Sequence, residues 1–200
     1  MLKIILTGPE SSGKTTLAHQ LAMHFNAPLV EEYARVFFEK KETPQYVQVN
    51  LFEIAKGQLD LEQQTYEVFP KGIPSEKNLI GLSPQLLICD TDLLTIKIWS
   101  NEVYGNCSIE LTQLIDNQLV NKPSNITEYY FLCSPGGIEW EDDPLRENPN
   151  DRQRLFDIYE KELRFYKKNY KILRGSFEER LERTIAMIEK RIFLLGKKDV

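Results

Sequence analysis

The residues best suited to chemistry lie near the start of the 200-residue chain, in the sequence Gly8-Pro-Glu-Ser-Ser-Gly-Lys-Thr15. This GxxxxGKT spacing is typical of a P-loop, in which glycines allow backbone N–H groups to surround a phosphate. Lys14 can reach the β- and γ-phosphates of a nucleotide, and the Thr15 hydroxyl can ligate Mg²⁺. An apolar run precedes the loop and a helical apolar pattern follows it, so the positive end of a helix would face the phosphates. We therefore expect ATP and Mg²⁺ to bind at Gly8, Glu10, Ser11, Ser12, Gly13, Lys14, Thr15 and Thr16.

Two carboxylates follow a second apolar run, Leu86-Leu-Ile-Cys89, and are separated by one residue. Asp90 is typical of the acidic residue that ends a buried parallel strand and holds Mg²⁺ in P-loop proteins. Asp92 has two interpretations: it orients the hydroxyl of a phosphoryl acceptor, or it caps the next helix, a position that Asp favours.

A second set of polar residues ends the predicted strand 29–33. Ligands of open parallel sheets bind at such strand ends, which makes Glu31, Glu32, Tyr33 and Arg35 candidates for an acceptor site. A carboxylate here could accept the proton of an attacking hydroxyl. The alternative is an exposed helix start with acids near its positive end.

A polar segment broken by prolines, residues 136–152, predicts a mobile lid. Arg146 and Arg152 could close over ATP and supply positive charge in the transition state. Trp140 could stack on a planar heterocycle, and a cationic ring would also be attracted by Asp142 or Asp143.

The elements that must position these residues alternate along the chain between strands and helices. Helical spacing of apolar residues predicts helices over 44–69, 93–104, 109–121 and 151–169, with a closing helix from Phe177. Further strands are predicted at 129–134 and in the segment 170–176, whose Gly175-Ser176 turn would bound the adenine pocket. This alternation predicts one α/β domain over residues 1–200, with five parallel strands flanked by helices.

Composition limits the remaining possibilities. A net charge of −5 does not favour a nucleic-acid groove, and no apolar run approaches the ~20 residues that span a bilayer. Three cysteines without metal-ligand spacing predict reduced core residues. Without a signal peptide before the first strand, we expect a cytoplasmic protein.

Four motifs in order resemble the ribosylnicotinamide (nicotinamide riboside) kinase domain of NadR-type proteins, small P-loop kinases often labelled AAA-type ATPases. They are the P-loop, Glu32-Tyr-Ala-Arg35, Cys89-Asp-Thr-Asp92 and Glu139-Trp-Glu-Asp-Asp-Pro-Leu-Arg146. The likeness covers nearly the whole chain and implies a nucleoside-kinase-like P-loop fold. It implies transfer of the ATP γ-phosphoryl group to the 5′-hydroxyl of nicotinamide riboside, with Trp140 near the nicotinamide and Glu32 and Asp92 at the ribose. By the same resemblance, the adenylyltransferase and DNA-binding domains of full NadR proteins are absent.

We therefore expect an ATP- and Mg²⁺-dependent small-molecule kinase of NAD biosynthesis, with either Glu32 or Asp92 orienting the acceptor hydroxyl. One alternative is a kinase for another nucleoside or vitamin-like alcohol. The other is a non-kinase P-loop ATPase or ATP-binding switch, although such remodelling proteins generally take an arginine from a neighbouring subunit. The oligomeric state, monomer or small homo-oligomer, stays open.

Overall fold

The computed structural model describes residues 1–39, 47–68, 86–121, 125–142 and 150–196. In chain order, its strands and helices are β1 (Leu2–Thr7), α1 (Lys14–Phe25), β2 (Leu29–Val30), α2 (Tyr33–Glu39), α3 (Gln48–Val68), β3 (Leu86–Asp90), α4 (Leu93–Tyr104), α5 (Ile109–Val120), β4 (Thr127–Cys133), α6 (Arg152–Phe165), β5 (Tyr170–Leu173) and α7 (Phe177–Gly196). None of the helices in these ranges has the length and apolarity needed to cross a membrane.

The five strands form one parallel sheet in the order β2-β3-β1-β4-β5. This confirms the predicted five-stranded parallel sheet flanked by helices. In β1 and β3, Leu6 is paired with Asp90, so the carboxyl ends of these two strands lie side by side. The chain after β1 crosses to one side of the sheet and the chain after β3 to the other, which opens a crevice where ligands of such sheets bind.

Side chains alternate across the strands and build a core on each face of the sheet. On one face, Ile5 and Leu132 pack with buried residues of α2 to α6. On the other, Ile4 and Phe131 pack with α1 and α7. The near-continuous apolar runs of the strands follow from this burial on both faces.

The structure corrects two predicted boundaries. The predicted strand 29–33 ends at Val30, and Tyr33 is already the first residue of α2. The predicted helix 151–169 ends at Phe165, because Lys167 has a φ of 51° and Lys168 N–H donates to Leu163 C=O over 2.9 Å, a left-handed helix stop. This helix end was not predictable, because the left-handed position at a helix end usually holds glycine and here holds lysine.

Two other predictions fall partly outside the described residues. The start of the predicted helix 44–69, at Thr43-Pro44, lies outside them, whereas α3 covers Gln48–Val68. The loop predicted at 70–84 also lies outside them. All three cysteines are free, and two of them, Cys89 and Cys133, are buried.

Candidate active site

The P-loop connects β1 to α1, and its glycines have the backbone geometry that the motif predicts. A Cβ on Gly8 would lie 2.6 Å from the carbonyl oxygen of Cys133, a distance that no side chain tolerates. Gly13 is left-handed, with a φ of 79°, and immediately precedes α1. The Ser12 hydroxyl donates to the Pro9 carbonyl over 2.8 Å, which closes the loop on itself. The loop therefore forms a compact turn at the N-terminus of a helix, a suitable place for an anion.

The side chains that follow the loop place cationic and hydroxyl groups at this turn. Lys14 Nζ donates to the Pro9 carbonyl oxygen over 2.8 Å, so the ammonium group folds back against the loop. Thr15 is half-buried and Thr16 is exposed. The first turn of α1 contains no acidic residue, so nothing there opposes the positive helix end.

Asp90 ends β3 beside the P-loop strand. It is 1% exposed, and both of its carboxylate oxygens are buried with no hydrogen-bond partner among the described residues. A buried, unpartnered carboxylate is costly unless a cation or water compensates it. The residues therefore fit Mg²⁺, which is usually held by one or two protein oxygens together with substrate phosphates and water. The described residues include no group of three or more His, Cys, Asp or Glu side chains that could hold a metal ion.

Asp92 is the N-cap of α4. Its Oδ1 accepts from the Leu94 backbone N–H over 3.1 Å, and its Oδ2 accepts from the Tyr130 hydroxyl over 2.6 Å. Burial, reinforced by the Asp92 carboxylate, raises the pKa of Tyr130, so this hydroxyl keeps its proton and donates. This confirms one of the two interpretations of Asp92, that it caps the next helix. The other role, at an acceptor hydroxyl, stays a prediction.

The junction between β2 and α2 is held by a side chain of α3. The Gln58 amide oxygen accepts from the Tyr33 N–H over 2.8 Å, and its amide nitrogen donates to the Glu31 carbonyl over 3.1 Å. Glu32 lies between these two peptide groups, and its Oε2 is 3.5 Å from Nε of Arg35. Gln58 therefore fixes the backbone on both sides of Glu32, which also explains why β2 ends early.

The pKa of Tyr159, a buried tyrosine of α6, depends on carboxylates from three other parts of the chain. Burial raises the pKa of Tyr159 against an opposing hydrogen bond with Thr95, and the carboxylates of Glu32, Glu10 and Asp92 raise it further. These carboxylates belong to the β2–α2 junction, the P-loop and the start of α4. Three acids that are distant in the sequence thus each lie near enough to Tyr159 to influence its hydroxyl.

The described part of the predicted lid contacts the P-loop directly. The Ser11 hydroxyl donates to the Glu141 carbonyl over 3.3 Å and accepts from the Glu141 N–H over 3.2 Å. Arg152 donates from Nη1 to the carbonyls of Ser11 and Ile138, both over 3.0 Å. The guanidinium of Arg152 therefore holds a carbonyl of the P-loop and links the start of α6 to it.

Trp140 lies between an acid and a cation. Its indole N–H donates to Asp142 Oδ1 over 2.7 Å, and the guanidinium carbon of Arg152 lies 5.9 Å from the ring centroid. Two further residues of the predicted site, Asp143 and Arg146, lie outside the described residues.

The Gly175-Ser176 turn after β5 starts the last helix. The Ser176 N–H donates to Glu179 Oε2 over 2.9 Å and the Glu179 N–H donates to the Ser176 hydroxyl over 3.3 Å, a reciprocal capping box. Gly175 has a φ of 102°, a conformation that L side chains rarely adopt. The capping box and the glycine thus define the backbone of this turn, and its role at the adenine stays a prediction.

A family model described as "AAA domain" matches residues 3–180 of the chain. The chain belongs to the AAA domain family.

Solved structures of similar fold include a NadR protein in complex with NR, with a TM-score of 0.69 and 20% identity over 94% of this chain and 50% of that chain. A NadR protein in complex with NAD and AMP-PNP has a TM-score of 0.65 and 19% identity, with 94% and 48% covered. A deoxyadenosine kinase from M. mycoides with bound products has a TM-score of 0.59 and 13% identity, with 94% and 99% covered. These likenesses confirm the predicted P-loop kinase fold, and this AAA domain protein spans about half the length of the NadR chains.

Four residues of the site were not singled out from the sequence: Gln58, Tyr130, Tyr159 and Arg180. Three of them belong to apolar helical or strand patterns, where a single polar side chain gives no signal of its partners. Arg180 lies within a polar stretch of α7, although it is 1% exposed. The available signal was its position four residues after Ser176, which caps α7. This spacing places Arg180 on the first turn of that helix, next to the Gly175-Ser176 turn.

Proposed function

We propose that this protein transfers the γ-phosphoryl group of ATP to the 5′-hydroxyl of nicotinamide riboside, giving nicotinamide mononucleotide. The observation that carries the proposal is the P-loop after β1 with the buried, unpartnered Asp90 at the end of the adjacent strand. Glu32, Glu10 and Asp92 add negative charge, since each lies near enough to raise the pKa of Tyr159. Nicotinamide riboside has two features that such an acidic crevice recognises, ribose hydroxyls and a positively charged ring. Neutral nucleosides share only the first.

At the phosphate end, Lys14 would leave the Pro9 carbonyl for the β- and γ-phosphates, which are the stronger acceptors. The backbone N–H groups of the P-loop would surround the phosphates, and the Gly175-Ser176 turn would bound the adenine. Thr15 and Asp90 would hold Mg²⁺, which supplies neutralising charge on the phosphate oxygens.

At the acceptor end, a carboxylate must orient the attacking hydroxyl and accept its proton. We assign this role to Glu32, because Gln58 fixes its backbone on both sides. Asp92 accepts the hydrogen bonds from the Leu94 N–H and the Tyr130 hydroxyl. Asp92 would then contribute charge and fix the start of α4. Tyr33 and Arg35, on the first turn of α2, would line the acceptor pocket beside Glu32.

In the lid, Trp140 would stack on the nicotinamide ring. Arg152 lies near the indole ring in the present arrangement, so a cationic ring must bind the opposite face or displace the guanidinium. Displacement would free Arg152 for the transferring phosphoryl group, with Arg146 as the second arginine of the lid. Asp142 and Asp143 would add negative charge beside the ring.

The test is ADP release from Mg²⁺-ATP by the purified protein, with nicotinamide riboside, deoxyadenosine, other nucleosides and vitamin-like alcohols as separate acceptors. We expect stimulation by nicotinamide riboside, with a product heavier by one phosphoryl group in the mass spectrum. A Lys14→Ala variant and a reaction without acceptor are the controls. Stimulation by deoxyadenosine alone would assign the protein to another nucleoside, and hydrolysis that no acceptor raises would contradict a kinase.

A further inference from the structure

Arg180, on the first turn of α7, is a buried cation that contacts three loops at once. Its Nη1 donates to the carbonyls of Ser12 over 3.1 Å and Ser134 over 2.8 Å. Its Nη2 donates to Gly136 over 2.7 Å, and its Nε donates to Gly175 over 2.9 Å. One side chain thus joins the P-loop, the loop after β4 and the turn after β5.

The orientation of the P-loop peptides depends on this contact. In a trans peptide, the C=O of one residue and the N–H of the next point in opposite directions. Because the Ser12 carbonyl points at Arg180, the Gly13 N–H points away from it. The preceding carbonyl, of Ser11, is held in the same way by Arg152, so two consecutive P-loop peptides each have an arginine on the carbonyl side.

Within the part of the chain that the structure describes, the positive charge of Arg180 is compensated by backbone carbonyl groups rather than by a carboxylate. The four contacts are all to backbone carbonyls, and no carboxylate of the described residues forms an ion pair with the guanidinium. Burial lowers the pKa of Arg180, as expected for a cation that has lost water without gaining an anion.

We propose that Arg180 is a positioning residue of the nucleotide site, which turns the N–H groups of the P-loop toward the phosphates and ties the loop to the 134–136 and 175 turns. The inference rests on the proposed binding of ATP, but not on the identity of the acceptor. The sequence of α7 contains several charged residues, and its charge pattern does not distinguish Arg180 from them. Only the four hydrogen bonds of the folded protein do so.

The proposal is tested by the affinity for a fluorescent ATP analogue with Mg²⁺, measured well below the unfolding temperature. Arg180→Lys keeps the charge but cannot reach all four carbonyls, and Arg180→Met removes the charge at similar length. We expect the dissociation constant for the nucleotide to rise about tenfold or more, since small displacements of positioning groups have effects of that size. The KM for the acceptor should stay unchanged.

The matched control is Arg183→Met, because Arg183 lies on the same helix, is exposed and donates to a single carbonyl, that of Arg174, over 3.3 Å. Its nucleotide affinity should match the wild type. A lower unfolding temperature for both Arg180 variants with wild-type nucleotide affinity would overturn the proposal, since it would show a purely structural role.

A measurement on the wild type decides the question if neither variant folds. In protein labelled with both ¹⁵N-arginine and ¹⁵N-glycine, the Arg180 Nε–H resonance should shift on addition of Mg²⁺-ATP, together with the Gly13 amide. A shift of Gly13 without any shift of Arg180 would overturn the inference. Failure of the wild type to bind ATP would overturn both proposals, whereas ATP binding without acceptor phosphorylation would overturn the proposed function alone.

Discussion

Replacing Gly57 by alanine should reveal how closely the candidate acceptor residue Tyr33 is packed. Gly57 lies in the middle of α3, where a glycine normally costs ~1 kcal/mol relative to alanine. A Cβ at this position would lie 2.0 Å from Cε1, 2.3 Å from Cζ and 2.5 Å from Cδ1 of the Tyr33 ring. Non-bonded carbon atoms prefer separations of ~3.5 Å or more, so the ring would have to retreat by roughly 1.5 Å.

Two opposing terms set the magnitude of the effect. Alanine gains ~1 kcal/mol from helix propensity, whereas overpacking costs ~1–3 kcal/mol. The Tyr33 backbone cannot follow easily, because its N–H donates to Gln58 over 2.8 Å. We therefore expect Gly57→Ala to range from no change to a loss of ~2 kcal/mol in the free energy of unfolding. In a Tyr33→Ala background, the same substitution should stabilise by ~1 kcal/mol, since only the helix term remains.

The assay is urea unfolding of the wild type, both single variants and the double variant, followed by acceptor and ATP kinetics of the folded proteins. We expect a coupling free energy of ~1–3 kcal/mol between the two positions. With Tyr33 in the acceptor site, Gly57→Ala should raise the KM for nicotinamide riboside and leave the KM for ATP unchanged. Equal stabilisation in both backgrounds would refute the packing argument, because the ring would then move without cost.

Four further substitutions address single steps of the argument. Lys14→Ala should abolish phosphoryl transfer with an unchanged unfolding temperature, because it removes a charge aimed at phosphate and no core packing. Asp90→Asn should stabilise the nucleotide-free protein by ~1 kcal/mol or more, since it removes a buried unpaired charge, and should abolish the extra stability conferred by Mg²⁺-ATP. Gln58→Leu should cost ~2 kcal/mol or more by leaving two peptide groups unsatisfied, and should lower kcat through Glu32. Trp140→Ala should raise the acceptor KM with near-normal ATP binding.

Controls for these substitutions come from exposed residues of the same type. Lys190→Ala, Asp60→Asn and Gln64→Leu replace exposed side chains and should leave both activity and stability close to the wild type. Wild-type turnover in Lys14→Ala would contradict the assignment of Lys14 to the phosphate site. A destabilised Asp90→Asn protein would show that the carboxylate has partners, and an unchanged acceptor KM in Trp140→Ala would return that residue to a structural role.

The fold and the backbone geometry of the P-loop were predictable because local sequence determines them. The apolar runs that became β1, β3 and β4 are buried on both faces, and a continuous apolar run has few other stable solutions in an α/β protein. The P-loop was also predictable from local sequence, because Gly8 and Gly13 adopt backbone conformations that few other residues permit. Asp90 followed from the end of its strand.

What the sequence by itself determined, then, is the five strands and the helices other than α2, the P-loop and the acid at the end of β3. Tertiary structure decided that Glu32, Glu10 and Asp92 all act on the pKa of Tyr159, and that Asp92 caps α4 and accepts from Tyr130. It also decided that Arg180 reaches Ser12, although 168 positions separate them in the chain. The physical reason is that a local pattern fixes which face of an element is apolar, whereas a buried polar side chain takes whichever unsatisfied partner the packed elements bring to it.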